Sequence, residues 1–500
     1  MIFSKKPLIT KKASVYKINY TSFASGMNAE VDDNLLPHKH AKITYNFKAS
    51  NGALMPSYGF GELFLPKSWA NVAEKRQIYY NNINADIQKL WCFKCWDAST
   101  NLRDDHIIFC TGDNQMRYIR VVDLSPLNAP VTMGEELTGQ PKCVSYRLNG
   151  TDSFIMTCPN GKMQVYRVNL KTPVFPNAPK IVSLCVHYER LFAIQEGERT
   201  RLTFSANLDP TNWNISTDNA GFIDLLDERG SMNKVLSFND YVYVFRDYGV
   251  TRISAYGAQD EFSVTQLFVS SVKIYGDSVC ACGDRIIFLA KDGLHAFDGY
   301  NTVKLNLGID SLFAYDNSNS KSCFFNDSYF LACRMNFNDG KTVECESVAN
   351  YVNNVLLEYD FRKNEINVVR GVDIKDMVAV MNEGVSELVA CFRGEKNKKL
   401  GMLTNDGKFF GTVLPKCWAS PKSNLSQPNK QKRIKEVNIK SEYPSKVVIT
   451  TDKETKTYNV CAKKSTQRIK TNVVGELVQI CFETNYENAN ISSPQIMVGI

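Results

Sequence analysis

Three observations predict an all-β chain, and the third narrows it to a β-propeller of about six to eight blades. Aromatic residues make up 11% of the 500 residues, mostly Tyr and Phe, which favours strands. The stretch Tyr241, Val242, Tyr243, Val244, Phe245 alternates between two faces with period two, yet both faces are apolar. Such a strand is buried on both sides, as inside a stacked blade. Hairpin-like units begin near Ile107, Phe154, Leu191, Tyr241, Ile286, Tyr329 and Leu388, with steps close to the roughly 40–50-residue period of propeller blades. A lone four-stranded blade would expose two apolar faces. Stacking blades buries those faces, and closing the circle removes the sheet edges.

Taken in order, residues 1–66 read as an extended N-terminal arm. Residues 41–47 suit a strand, and the aromatics of the arm (Phe23, Tyr45, Phe47, Tyr58, Phe60, Phe64) argue against full disorder. Residues 71–90 are the best helix candidate, because Ile78, Ile83, Ile87 and Leu90 recur near helical spacing. The propeller is expected over 67–414. Turns fall at 111–114, 159–162, 291–293, 338–340 and 405–407, and the Asn-Gly and Asp-Gly pairs in the last four tolerate the positive φ of tight hairpins. Eight blades are open if N-terminal strands close the ring. Residues 415–500 differ in kind. A polar linker over 421–431 precedes alternating segments at 436–440, 446–451, 457–461, 473–483 and 496–500. These read as a small β-sandwich-like module, or as strands completing the propeller.

No apolar run approaches the roughly 20 residues that span a bilayer. The opening Met1, Ile2, Phe3, Ser4, Lys5, Lys6, Pro7 lacks the apolar stretch of a signal peptide, so assembly in a cytoplasm is expected. Fifteen cysteines are scattered, many inside apolar runs (Cys110, Cys158, Cys185, Cys333, Cys391), as buried thiols in a reducing compartment are. Cys92 and Cys95 form a single C-x-x-C; zinc would need a second pair or suitably spaced histidines. Cys280 and Cys282 would share a strand face. No metal or cofactor is expected.

Catalysis needs convergent acids, bases or metal ligands. Asp104, Asp105 and His106 form the tightest cluster and read as a turn before Ile107. Asp224, Asp227 and Glu228 read as turn residues in a loop opened by Gly221. The chain carries no P-loop, G-x-S-x-G, H-E-x-x-H or sialidase-type repeat. Paired carboxylates for glycoside cleavage are spatial and stay open. No catalytic residue is assigned.

Residues 201–257 carry the most specific pattern. It runs Arg201, Phe204, Ser205, then Asp209, Pro210, then Trp213, followed by the Tyr241–Phe245 strand and turns at Gly249 and Gly257. Asp209 and Pro210 form a turn, since Pro presets φ and Asp bonds the backbone ahead. Downstream, Arg285 to Gly299 adds the turn Asp292, Gly293. This arrangement resembles the β-propeller proteins of bacteriophage tails known as tail tubular, nozzle or DNA-stabilisation proteins, strongly over residues 185–300 and more weakly elsewhere. The resemblance implies a structural virion protein. It would form a homo-oligomeric ring, a hexamer, docked on an adaptor, portal or neighbouring tail ring. That ring would extend the DNA channel, touch packaged DNA transiently and retain it until ejection. The motif residues are expected to be structural, with Trp213 fixing a blade-to-blade turn. The alternatives are a propeller-based receptor-binding or polysaccharide-degrading tail protein, or a monomeric cellular interaction platform.

Charge is uneven. Residues 416–470 carry fourteen Lys or Arg against four Asp or Glu, while the whole chain sums to +7, so the remainder is weakly acidic. Lys430, Lys432, Arg433, Lys435, Lys463, Lys464, Arg468 and Lys470 form a candidate docking segment for an acidic partner. A solvated face, nucleic acid or an anionic cell surface are the other readings. Aromatics are sparse among these lysines, unlike a single-strand binder.

Overall fold

The computed structural model describes residues 14–20, 23, 26–63, 85–97, 102–121, 131–157, 161–168, 170–216, 219–313, 315–382 and 385–500. These fall into two compact units. One is Gly59–Thr404 with Lys408–Thr412; the other joins Met1–Tyr58 and Asn405–Gly407 to Val413–Ile500.

The first unit is a β-propeller, and the described residues form seven antiparallel blades. The innermost strands are Ile87–Phe93, Lys142–Leu148, Ile181–His187, Met232–Phe238, Cys280–Cys282, Lys321–Phe325 and Ile374–Asn382. Each is followed by a second strand, and all seven predicted hairpin anchors lie on these: His106–Thr111, Thr151–Thr157, Arg190–Gln195, Tyr241–Arg246, Arg285–Ala290, Ser328–Cys333 and Val385–Phe392. Ile374–Asn382 packs against Ile87–Phe93, which closes the circle.

Blade 4 shows why the chain folds this way. Tyr241–Arg246 turns through Asp247 and Tyr248 into Gly249–Ser254, with Arg246 opposite Gly249. Val242 and Val244 pack with Phe192, Ile194, Leu202 and Phe204 of blade 3. Tyr243 and Phe245 pack on the other side with Ile286, Phe288 and Phe297 of blade 5. The core is thus a set of layers between blades, each fed by one face of a strand.

Blade 7 is completed from the other end of the chain. Leu400–Thr404 pairs with Gly59–Glu62, which lies before blade 1 in sequence. Phe60 is fully buried and meets Phe392 edge-on at 5.1 Å. A Cβ on Gly59 would lie 2.1 Å from the Lys408 carbonyl oxygen, so only glycine fits there.

Two expectations need correction. The helix over 71–90 ends as a strand, since Ile87–Phe93 is the first innermost strand and both Ile87 and Leu90 face the blade 7 core; residues 71–84 lie outside the described residues. The division 1–66, 67–414, 415–500 also fails at the arm. Val15–Asn19 pairs with Ile491–Gly499, Phe47–Ser50 with Ala53–Pro56, and Ile43–Tyr45 with Lys416–Ala419. The arm supplies strands to both sheets of the second unit, where they pair with edges that would otherwise be open.

That second unit is a two-sheet β-sandwich. Its six-stranded sheet includes Lys432–Ser441, Lys463–Gly475 and Ile491–Gly499; its five-stranded sheet includes Ser445–Thr451, Thr455–Val460 and Val478–Thr484. Trp418 is 1% exposed and makes edge contacts with Tyr20 at 5.5 Å and Phe23 at 5.2 Å. The stretch 421–431 is held rather than free: Ser423 bridges Val478, and Leu425 is buried.

Candidate functional site

The residues of the predicted motif meet in blade 3. Arg201 opens the strand Arg201–Phe204 and pairs across the sheet with Asp224. Its Nε donates to Asp224 Oδ1 at 2.8 Å, and its guanidinium lies 4.0 Å from the centre of the Phe222 ring. Phe204 is buried beside Phe192 and Phe262. Ser205 is fully buried: its Oγ accepts from the Leu191 amide at 3.0 Å and donates to the Ala206 carbonyl at 3.2 Å. Asp209 Oδ1 accepts from the Thr211 amide at 3.0 Å and from its hydroxyl at 2.6 Å, which builds the turn around buried Pro210. Trp213 is partly buried on a cluster of Ile155, Val165 and Leu191, from blades 2 and 3. Its indole Nε1 is buried without a hydrogen-bond partner. Arg201, Phe204, Trp213 and Phe222 line a cleft of about 550 Å³ that also touches Ala178 and Pro179.

The glycines act through space and backbone shape. A Cβ on Gly249 would lie 2.4 Å from the Phe268 carbonyl oxygen and 2.8 Å from Arg229 Cγ. Gly257 has φ +81° and Gly293 φ +130°, values that L side chains rarely adopt. Asp292 accepts from His295 Nε2 at 2.9 Å at the hairpin tip before Gly293.

The basic segment divides. Lys463, Lys464, Arg468 and Lys470 are exposed on Lys463–Gly475, which among the described residues is an edge strand paired with Lys432–Ser441. Lys430 and Arg433 are exposed, and Lys435 is half-buried. Lys432 corrects the expectation: it is fully buried, its ammonium donates to the Glu476 carbonyl at 2.8 Å, and burial lowers its pKa. Strand alternation turned it inward, so it belongs to the sandwich and not to a docking face. Charges along a long edge also discourage pairing with stray strands.

Asp104, Asp105 and His106 form no exposed turn; all three are buried. Arg120 Nε donates to Asp104 Oδ2 at 2.8 Å, and Arg103 holds Asp105 from 2.7 Å. Cys95, Asp104 and His106 bring ligand-type atoms within 4.8 Å of one another. Their chemistry suits a proton-bearing set better than a metal centre. Burial, then Asp104, raises the Cys95 thiol to about 12, and its Sγ donates to the Asp104 carbonyl at 2.7 Å. Cys417, Cys481 and Glu483 form a second such trio, in the sandwich.

The sequence marked Tyr-rich loops, with the aromatics of the arm, as candidate contact surfaces without singling out residues. Tyr188 is 49% exposed, Tyr256 73% and Tyr300 60%. Tyr188 meets Tyr256 edge-on at 5.4 Å, and Arg252 lies between Tyr241 and Tyr300, 4.5 and 4.7 Å from their ring centres. All belong to blades 3–5. Asn239-Asp240 before Tyr241 and Asp298-Gly299 before Tyr300 were the available signal; Tyr188 and Tyr256 follow no such pair.

No family model and no curated protein matches the sequence. Among solved structures, the chain is similar to BBS1N in complex with ARL6DN, with 11% identity, 69% of this chain and 96% of that chain covered, and a TM-score of 0.44. It is also similar to Raptor of Chaetomium thermophilum, with 7% identity, 72% of this chain and 29% of that chain covered, and a TM-score of 0.44. Among the described residues, no helix is long and apolar enough to cross a membrane.

Proposed function

We propose that this chain is a structural protein of a bacteriophage particle. It forms a homo-oligomeric ring, a hexamer, in the tail nozzle or tail tube, docked on an adaptor, portal or neighbouring tail ring. The ring extends the DNA channel and retains packaged DNA until ejection. It is assembled in the host cytoplasm, and its role is non-catalytic. One observation carries the reading. The stretch that resembles the tail family also presents Tyr188, Tyr256, Arg252 and Tyr300, the residue types enriched where proteins dock. The motif residues themselves are spent on holding blade 3 together, as in a scaffold. The exposed cations of Lys463–Gly475 offer a second contact, for an acidic neighbour.

Native mass of the purified chain, with antibody-gold labelling of particles, tests this. A ring-sized oligomer labelled at the tail supports it, and the double variant Y188A/Y256A should fall to monomer. Label on fibres with glycan turnover would replace it with the receptor-binding or depolymerase reading. A monomer absent from particles would leave the propeller fold alone.

A further inference from the structure

The innermost strands place charged residues at one level around the propeller axis. Lys89 lies opposite Cys110, Lys234 opposite Phe245, Lys321 opposite Ala332 and Asp376 opposite Cys391. Each partner is the penultimate residue of its blade's second strand. Ser183, opposite Ile194, is the equivalent residue of blade 3, and Lys142, opposite Thr157, stands at the start of blade 2's strand. In blades 1, 3, 4 and 7 a register shift falls at this level, between Ile87 and Lys89, Ile181 and Ser183, Met232 and Lys234, and Ile374 and Asp376. Such bulges re-aim side chains, and here they recur at one height. Blade 5 supplies Asp277 from the short 3-10 turn Gly276–Ser278. Together these positions carry four lysines against two aspartates.

The partners do not balance. Lys321 is ion-paired to Asp277. Asp376 is buried and accepts from the Leu90 amide at 3.1 Å. Burial works against the Asp277 carboxylate, but Lys321, Lys234 and Lys89 hold its pKa well below the usual range. Among the described residues, Lys142 Nζ has no hydrogen-bond or ion-pair partner. Burial first, then the charges of Lys89, Lys321 and Lys234, lower it to about 8, with Asp277 opposing. Lys142 lines a cavity of about 240 Å³ with Asn233, Tyr275, Asp277 and, at the rim, exposed Arg199 and Lys273. That is roughly eight water volumes, space for one tetrahedral oxyanion and a few waters.

We infer that this cavity is an anion site for inorganic phosphate, held by Lys142 with Arg199 and Lys273 at its rim and with Lys89, Lys234 and Lys321 adding positive charge near Lys142. A dianion neutralises the surplus, gives Lys142 its missing partner and leaves Asp277 on Lys321. The site is independent of the ring proposed above, since it lies within one propeller.

Calorimetric titration of the full chain with inorganic phosphate, at constant ionic strength, tests it. One saturable site is expected at pH 7. K142M should weaken binding about tenfold or more, while K464M, on the sandwich edge, should leave it unchanged. Raising pH from 8 to 9.5 should weaken binding to the unaltered chain, because Lys142 loses its proton while inorganic phosphate, a mixture of monoanion and dianion at pH 7, is already mostly the dianion. The other charged groups around Lys142 are Lys89, Lys234, Lys321, Asp277, Asp376, Arg199 and Lys273. Without phosphate, K142M should melt no lower than the unaltered chain, because it removes a repelled charge. Absent saturable binding, equal affinity in K142M, an equal loss in K464M or a flat pH profile would overturn the inference.

Discussion

Blade 4 and the sandwich bury similar aromatic cores by opposite routes. In blade 4, Met232–Phe238, Tyr241–Arg246, Gly249–Ser254 and Ser263–Val269 follow one another, each paired with its neighbour in sequence. In the sandwich, Trp418 packs on Phe482 but also on Tyr20 and Phe23, some four hundred positions away. A local hairpin fixes its own register through its turn. The sandwich has to recruit its missing strands from the far end of the chain. The first design is legible from a window of sequence; the second depends on which distant edges find each other.

Removing residues 1–58 probes that difference most severely. The sandwich would lose Val15–Asn19, Ile43–Tyr45, Phe47–Ser50 and Ala53–Pro56, while Gly59–Glu62 would remain to close blade 7. Calorimetry should show the sandwich transition abolished and the propeller transition kept. A surviving sandwich transition would mean that the C-terminal strands suffice, and the contrast would collapse.

Point substitutions sharpen the comparison. Phe245 and Trp418 are each 0–1% exposed. Phe245→Ala and Trp418→Ala should each cost about 3–5 kcal/mol in denaturant unfolding of their own unit. Equal losses would show that both cores are packed alike despite their different connectivity. A loss under about 1 kcal/mol at Trp418 would mean the long-range contacts with Tyr20 and Phe23 contribute little.

The same physics explains what the sequence disclosed. All seven hairpin anchors were readable because a twice-buried strand must be apolar at consecutive positions, as Val242 to Phe245 are. Closure was not readable: Gly59–Glu62 is a short, glycine-rich stretch whose partner, Leu400–Thr404, is remote. Ile87 and Leu90 suggested a helix because the bulge between Ile87 and Lys89 breaks the strand alternation and puts two residues three apart on one face. Of the candidate residues, the Arg201–Trp213 run was legible as a joint. Lys432 was not separable from its exposed neighbours, since composition carries no strand phase. The axial lysines, Lys89, Lys142, Lys234 and Lys321, sit one per blade and form no local cluster, so only the blade register brings them together.

A titration distinguishes a blade from its surroundings by a smaller effect. His187 is 3% exposed, and its Nδ1 lies 2.9 Å from Ser237 Oγ across to blade 4. Burial lowers its pKa to about 4, with Asp240 opposing. The unfolded chain therefore binds a proton near pH 6.5 that the folded chain refuses until about 4. Stability present above pH 6.5 should be lost as pH falls through that window, by at most about 3 kcal/mol. In H187Q the slope of stability against pH between 6.5 and 4 should flatten, whatever the substitution costs at neutral pH. An unchanged slope would assign the acid sensitivity to other groups.

Trp213 should give the smallest effect, and it tests whether a legible motif residue also matters energetically. A fully buried indole would cost about 3–5 kcal/mol on removal. Trp213 is only partly buried and leaves one face toward the cleft it shares with Arg201 and Phe222. Trp213→Ala should therefore cost about 1–2 kcal/mol in propeller unfolding. Trp213→Phe should recover most of that, because the indole Nε1 has no partner to lose. Recovery by Phe would make the residue a packing wedge between blades 2 and 3. Failure of Phe to recover stability would mean that the indole nitrogen is bonded in solution, and that the cleft holds an acceptor.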